Sequence, residues 1–197
     1  DLHTDSRRQR QMCIRDRFQI AIDAEVNEAN AMAISTISQE GTPRSRYVLF
    51  KDIVDNKLVF YSDYQSSKGR EMDNNPNISG LFFWPELHRQ IRLEGVISKT
   101  SNEVSDNYFA SRPRGAQLSA IASSQSTEIK GRETVEERIQ ELEKEFEGKD
   151  IPRPDNWGGY AIDISFWEFW QGRRSRTHDR FIYVKNDNSW EITRLSP

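Results

Sequence analysis

Four arginines and one of the chain's three histidines fall within eleven residues, Trp170-Gln171-Gly172-Arg173-Arg174-Ser175-Arg176-Thr177-His178-Asp179-Arg180. Aromatic residues flank the run, with Phe166, Trp167 and Phe169 before it and Phe181 after it. Arginine offers planar, bidentate contacts to phosphate or carboxylate, and a tryptophan can wall a ring-binding site. Four arginines so close together repel one another unless acids or a bound anion offset them, and Asp179 is the only acid inside the run. Arg46 and Lys51 bracket a strand-like stretch. Lys68 opens a helix-like one, whose first-turn N–H groups could add to a phosphate grip. Each lone cation is more simply read as an exposed surface charge; the final loop is where that reading weakens. Together these residues point to a phosphorylated aromatic cofactor or substrate.

Other chemistries find less support. There is no Gly-rich dinucleotide or phosphate loop, and Gly158-Gly159 reads as a turn. His88 and His178 are far apart in sequence and without helical spacing, so no metal site is expected. A Ser-His-Asp triad converging in space stays open, although nothing resembles a nucleophile elbow. A single Cys excludes an internal disulfide framework and a multi-Cys zinc site. The formal net charge of -3 gives no support for a nucleic-acid partner. No apolar stretch approaches membrane-spanning length, so a soluble, cytoplasmic protein with no membrane partner is expected.

The elements that must position these groups follow from periodicity. A helix is expected over residues 18–29, from the spacing of Phe18, Ile22 and Val26. Strands are expected over 31–38, 46–51 and 57–62, with Tyr47, Leu49 and Lys51 on one face of the second and Arg46, Val48 and Phe50 on the other. A helix capped by Ser66 or Ser67 runs to 74, and Pro76 stops it. A strand pair covers 78–84 and 90–98. Helices follow over 102–111, 117–124 and 134–146, the last placing Val135, Ile139, Leu142 and Phe146 on one side. Strands over 159–170, 181–184 and 190–195 complete the chain. Short strands with helices inserted among them, and no regular strand–helix alternation, predict a mainly β, α+β fold built on an antiparallel barrel. At 197 residues this is read as one domain. Residues 1–17 stand apart: 6–16 resemble a translated sequencing-library adapter, so a foreign, disordered segment is expected ahead of a domain over 18–197. A basic nucleic-acid arm or a transit peptide is the rival reading of that head.

Several ordered blocks carry a family resemblance. Phe169-Trp170-Gln171-Gly172 followed by Ser175-Arg176-Thr177-His178-Asp179-Arg180 resembles the C-terminal signature of the pyridoxamine 5'-phosphate oxidase family. Arg46-Tyr47-Val48-Leu49-Phe50-Lys51, Phe60-Tyr61-Ser62, Ser66-Ser67-Lys68-Gly69 and Phe83-Trp84-Pro85-Glu86-Leu87 match in order. So do Arg89-Gln90, Tyr108 through Gly115, Gln125-Ser126 and Arg194-Leu195-Ser196-Pro197. The resemblance runs from about Glu28 to the last residue.

It implies a Greek-key, FMN-binding split barrel that forms a homodimer with FMN at the subunit interface. It assigns Arg46, Lys68, Gln125 and Ser126 to the FMN phosphate and its surroundings. Residues Arg46, Tyr47, Val48, Leu49, Phe50 and Lys51 would line the flavin with Tyr61, Ser62 and Gln90, and Trp170 and Arg180 would complete the site from the other subunit. Lys51, Tyr108 and Arg112 would grip the substrate phosphate. Arg176 and His178, the implied catalytic pair, would lie over the substrate ring. The implied reaction oxidises pyridoxamine or pyridoxine 5'-phosphate to pyridoxal 5'-phosphate, with dioxygen as acceptor and hydrogen peroxide as product. Two residues depart from the family pattern: Ser67 where Arg is usual, and Ala116 where Ser is common. A related split-barrel flavin reductase with another substrate and a non-enzymatic flavin or pyridoxal phosphate carrier are the alternatives.

Overall fold

A computed structural model describes residues 14–187 and 189–197. Nine strands form one antiparallel sheet among these residues: β1 (Ala31–Ile37), β2 (Pro43–Leu49), β3 (Asp52–Val54), β4 (Lys57–Asp63), β5 (Asn77–Trp84), β6 (Arg89–Lys99), β7 (Trp157–Gln171), β8 (Asp179–Asn186) and β9 (Ser189–Leu195). Five helices decorate it: α1 (residues 14–23), α2 (Ser67–Asn74), α3 (Asn102–Ser111), α4 (Arg114–Ala122) and α5 (Glu133–Glu145). None of these helices is long and apolar enough to cross a membrane.

The sheet order is β2-β1-β5-β6-β7-β4-β3, with β8 on β7 and β9 on β8. The 15-residue β7 organises the whole. One edge pairs with β6 along its length. The other edge serves β4 over Trp157–Ile162 and then β8 over Phe166–Gln171. A register shift between Glu94 and Gly95 of β6 lies opposite the gap between those two partners, where a bulge sharpens twist. The sheet therefore divides at mid-β7, and β2 curls round to touch β4. This is the mainly antiparallel, half-barrel architecture that the strand spacing predicted.

Alternation builds the core. In β1, Met32, Ile34 and Thr36 point inward; in β5, Ile78, Gly80, Phe82 and Trp84 do. They meet Phe60, Ile91, Leu93, Tyr160 and Ile162 in one cluster. Trp84 is fully buried and satisfies its indole by donating from Nε1 to Ala29 O at 2.9 Å. A second cluster, Phe109, Leu118, Leu142, Ile151 and Trp157, seats α3, α4 and α5 over the first residues of β7.

Several boundaries differ from expectation. The first helix ends at residue 23, not 29, and left-handed Glu25 and Glu28 turn the chain into β1. Its buried face is Ile14, Phe18 and Ala21, one turn earlier than the Phe18–Ile22–Val26 stripe, and Ile22 is exposed. Residues 14–17, expected to be disordered, thus share this helix; residues 1–13 lie outside the described residues. The helix expected over 117–124 starts at Arg114, because Pro113 O accepts from Ala116 and Gln117 N–H groups and sets the first turn. The three-residue β3 was not anticipated; it is too short to carry a periodic signal.

Candidate functional site

The first cluster of predicted residues forms where β4 runs into α2. Ser66 caps α2, accepting from Gly69 N at 3.2 Å and donating to Asp63 O at 2.7 Å. Gly69 is required there, since a Cβ would stand 2.1 Å from Tyr64 O. The turn delivers Lys68 into a buried position, 8% exposed, where Nζ donates to Ser66 Oγ at 3.1 Å and to Gln125 Oε1 at 2.9 Å. Ser62 Oγ donates to the same Gln125 oxygen at 3.1 Å. Ser126 holds a left-handed φ of 69°, a strained turn beside this group. Burial, reinforced by the Arg46 charge, lowers the Lys68 ammonium to about 8.

Arg46 stands close enough for that effect, on β2. Its Nη2 pairs with Glu71 Oε2 at 2.8 Å, and its Nη1 donates to Thr36 Oγ1 and Arg44 O. Arg44 Nη1 takes the other Glu71 oxygen at 3.0 Å. Burial pushes the Glu71 carboxyl up, but the hydrogen bonds and charges of Thr36, Arg46 and Arg44 outweigh it and hold it low.

Beside this cationic group lies an aromatic one. Tyr61 and Tyr108 stack with centroids 3.7 Å apart and planes 8° apart, and Trp157 continues the stack 5.6 Å from Tyr61. The Arg112 guanidinium sits 4.5 Å from the Trp157 centroid. Its Nη1 is buried and has no hydrogen-bond partner. A buried, unpaired N–H costs about 1–3 kcal/mol, so it marks a place built for an acceptor. Burial lowers the Arg112 guanidinium and lifts the Tyr61 hydroxyl to about 12. Lys51 is exposed nearby, its backbone N–H bonded to Val59 O. Val48 is buried and Phe50 packs against the core, so these two can meet a ligand only through backbone. Tyr47 and Leu49 face outward, 75% and 41% exposed.

The other predicted residues gather at the far end of β7. Gln90, Trp170 and Arg180 form a row across β6, β7 and β8. Gln171 donates to Leu87 O and His88 O and accepts from Arg89 Nε at 2.7 Å, while Gly172 N reaches His88 O at 2.7 Å. The chain then enters a short 3-10 turn in which Ser175 and Arg176 are both left-handed, φ 55° and 60°. The His178 ring lies 4.7 Å from that of Trp170, and its Nδ1 accepts from Arg173 N at 3.1 Å. With Nδ1 accepting, Nε2 is the ring nitrogen left to donate.

Two acids relieve the repulsion among the arginines. Asp179 pairs with Arg173 at 2.7 Å and Arg194 at 2.5 Å, and Glu168 pairs with Arg180 at 2.7 Å. Arg173 is thus pinned by Asp179 although exposed, and Arg174 and Arg176 are exposed as well. Sequence reasoning missed Glu168 and Glu71. A charge inside Phe166-Trp167-Glu168-Phe169-Trp170 was a visible signal for the first; nothing marked the second.

The predicted residues therefore fall into two groups. Along β7 they meet opposite ends of the strand: Tyr61 and Ser62 pair with Gly159 and Gly158, while Gln90 and Arg180 pair with Trp170.

A model of the family described as pyridoxamine 5'-phosphate oxidase matches residues 18–145. A second, described as the pyridoxine 5'-phosphate oxidase C-terminal dimerisation region, matches residues 157–197. The chain belongs to the pyridoxamine 5'-phosphate oxidase family. Among its relatives, the pyridoxine/pyridoxamine 5'-phosphate oxidase of Leptospira interrogans is 46% identical over 91% of this chain and 85% of its own. The one from Flavobacterium johnsoniae is 51% identical, covering 86% of this chain and 79% of its own. PhzG of Burkholderia lata, solved with tetrahydrophenazine-1-carboxylic acid, superposes with a TM-score of 0.89 at 30% identity, covering 94% of this chain and 91% of that one. An FMN-binding protein of Nostoc punctiforme related to the family shares the fold at a TM-score of 0.72 and 17% identity, over 88% of this chain and 91% of that one. The family's dimerisation region takes in β7, β8 and β9, the strands that carry Trp170, His178 and Arg180.

Proposed function

We propose that the chain oxidises pyridoxamine and pyridoxine 5'-phosphates to pyridoxal 5'-phosphate as an FMN-dependent homodimer, with dioxygen as acceptor and hydrogen peroxide as product. The carrying observation is a pair of anion-ready positions served by adjacent residues of β4. Ser62 leads to the buried Lys68–Gln125 group, and Tyr61 leads to the unpaired Arg112. Two phosphorylated, planar molecules side by side need this arrangement.

The residues present fit FMN. Lys68 and Arg46 supply charge, and Gln125, Ser126 and Ser62 supply polar partners for its phosphate. The 46–51 strand and Tyr61 would line it. The position of the Gln90–Trp170–Arg180 row at the far end of β7 supports its serving the flavin of the partner chain, with the cofactor at the interface. When bound, FMN supplies the two-electron oxidation at the substrate's 4' carbon and delivers the electrons to dioxygen. The chain's own residues orient and shield. Arg112, Tyr108 and Lys51 hold the substrate phosphate. Arg176 brings positive charge over the substrate ring, and His178 offers its Nε2 proton as a hydrogen-bond donor.

The test is an absorbance spectrum of purified protein, then anaerobic addition of pyridoxamine 5'-phosphate. Bound flavin that bleaches, and on readmission of air yields peroxide, supports the proposal. A colourless protein that ignores added FMN overturns it. The likeness to PhzG, solved with a ring carboxylate, favours one second reading: Arg112 would grip a carboxylate on another substrate. Flavin that stays oxidised with both vitamer phosphates would favour that reading.

A further inference from the structure

Glu168 sits mid-way along an aromatic stretch of β7 and is 4% exposed. Its Oε1 accepts from Arg180 Nε at 2.7 Å, and its Oε2 from Arg92 Nε at 3.2 Å and Nη2 at 3.1 Å. Arg92 is itself braced by Glu94 at 2.5 Å and by the Phe166 ring at 4.7 Å. Arg180 donates from Nη1 to Ser196 O at 3.2 Å. With Nε and Nη1 so tied, Nη2 makes no protein hydrogen bond among the described residues.

Stability alone does not account for this carboxylate. Burying a charge costs several kcal/mol, and apolar replacements of buried ion pairs are often neutral or stabilising. Arg92 and Arg180 keep 39% and 32% of their side chains exposed, so neither needs Glu168 for solvation. What the carboxylate does provide is a fixed direction for a planar guanidinium beside Trp170.

We propose that Glu168 is a positioning residue of the flavin site, acting through Arg180, whose free Nη2 it aims at the cofactor. Arg92 holds Glu168 from the opposite side, so a three-member chain across β6, β7 and β8 sets one hydrogen-bond donor. This rests on the reading that Arg180 contacts flavin.

A double-mutant cycle on FMN affinity tests it, read by quenching of flavin fluorescence, with circular dichroism confirming the fold of each variant. Glu168→Gln keeps the shape but can turn an acceptor to only one guanidinium; it is expected to weaken FMN binding about tenfold. In an Arg180→Ala background the same change is expected to have no further effect. Equal FMN binding by Glu168→Gln and the unaltered protein overturns the proposal. So does a loss of the same size with and without Arg180, which would mean a general effect on the fold. If Glu168→Gln does not fold, Glu168→Asp, which keeps the charge but cannot reach both partners, enters the same cycle. An unaltered protein that binds no FMN fails the flavin reading itself; binding without coupling fails only the role of Glu168.

Discussion

The two groups of predicted site residues differ in how they are held. At the start of β7, Lys68 is 8% exposed, and Glu71, behind Arg46, is 5% exposed. Cap, core strands and side-chain network all fix the same geometry. At the end of β7 the functional side chains ride a loop with two consecutive left-handed residues, and Arg176 is open to solvent. One half is finished within the chain. The other rides on the strands of the family's dimerisation region, in a loop open to solvent on the single chain. Changes to the paired groups of the first half should therefore disturb folding and binding together, and changes in the second should disturb function alone.

Arg46→Ala gives the largest expected effect. It strips one of two cations from a buried carboxylate, and stranding such a charge costs about 3 kcal/mol, tempered because Arg44 and Thr36 remain. Thermal unfolding should show a clear loss of stability alongside weaker FMN binding. Adding Glu71→Gln should recover part of the stability, because no charge is then left behind. Unchanged unfolding of Arg46→Ala would break the comparison at its stronger end.

Arg112→Leu separates binding from folding within the same half. Removing a guanidinium with an unpaired buried Nη1 should leave stability level or higher. Losing a charge-assisted phosphate contact should raise KM for pyridoxamine 5'-phosphate about thirtyfold, corresponding to about 2 kcal/mol. A stability loss comparable to that of Arg46→Ala would mean that Arg112 is structural.

At the other end, Arg176→Gly should lower kcat about tenfold while stability stays within about 0.5 kcal/mol or rises slightly. Glycine adopts the φ of 60° without strain, so any functional loss belongs to the guanidinium. Arg174→Ala, on the same turn, should change neither quantity. A marked drop in thermal stability for Arg176→Gly would show that the loop is integral to the fold, against the contrast drawn between the two halves.

Legibility in the sequence follows the same division. The succession of strands and the cap of α2 at Ser66 rest on local pattern, and local pattern was enough for them. The first helix is misplaced by a turn because residues 1–17 read as foreign, which takes Ile14 out of the periodic stripe and leaves Ile22 and Val26 to continue it from Phe18; in the fold Ile14 and Ala21 are buried and Ile22 is exposed. The site residues were recognisable as ordered blocks. Their separation was not, since it depends on β7 running unbroken for 15 residues past two different partners. Glu71 and Glu168 escaped because a carboxylate has meaning only once its arginines arrive from other strands.

The smallest predicted effect concerns pH and tests whether the buried half is truly sealed. Lys68 sits at about 8 in the folded chain against an ordinary 10.5. Between those values the unfolded chain holds the proton and the folded chain releases it. The ligand-free protein should therefore gain stability as pH rises from about 8 to 9, by at most about 1.4 kcal/mol, before the raised Tyr61 hydroxyl, which the unfolded chain ionises near pH 10, opposes the trend. FMN affinity should move the opposite way, because a neutral amine gives a phosphate no charge. That loss should be about fourfold at pH 8.5, because most of the free Lys68 is then neutral and the bound phosphate must draw a proton back onto it. Lys68→Met should remove the rise in stability between pH 8 and 9 and the fall in FMN affinity over the same range, and chemical unfolding and FMN titrations at a series of pH values measure them. A flat stability profile across this window would mean that water reaches the ammonium and that the first half is as open as the second.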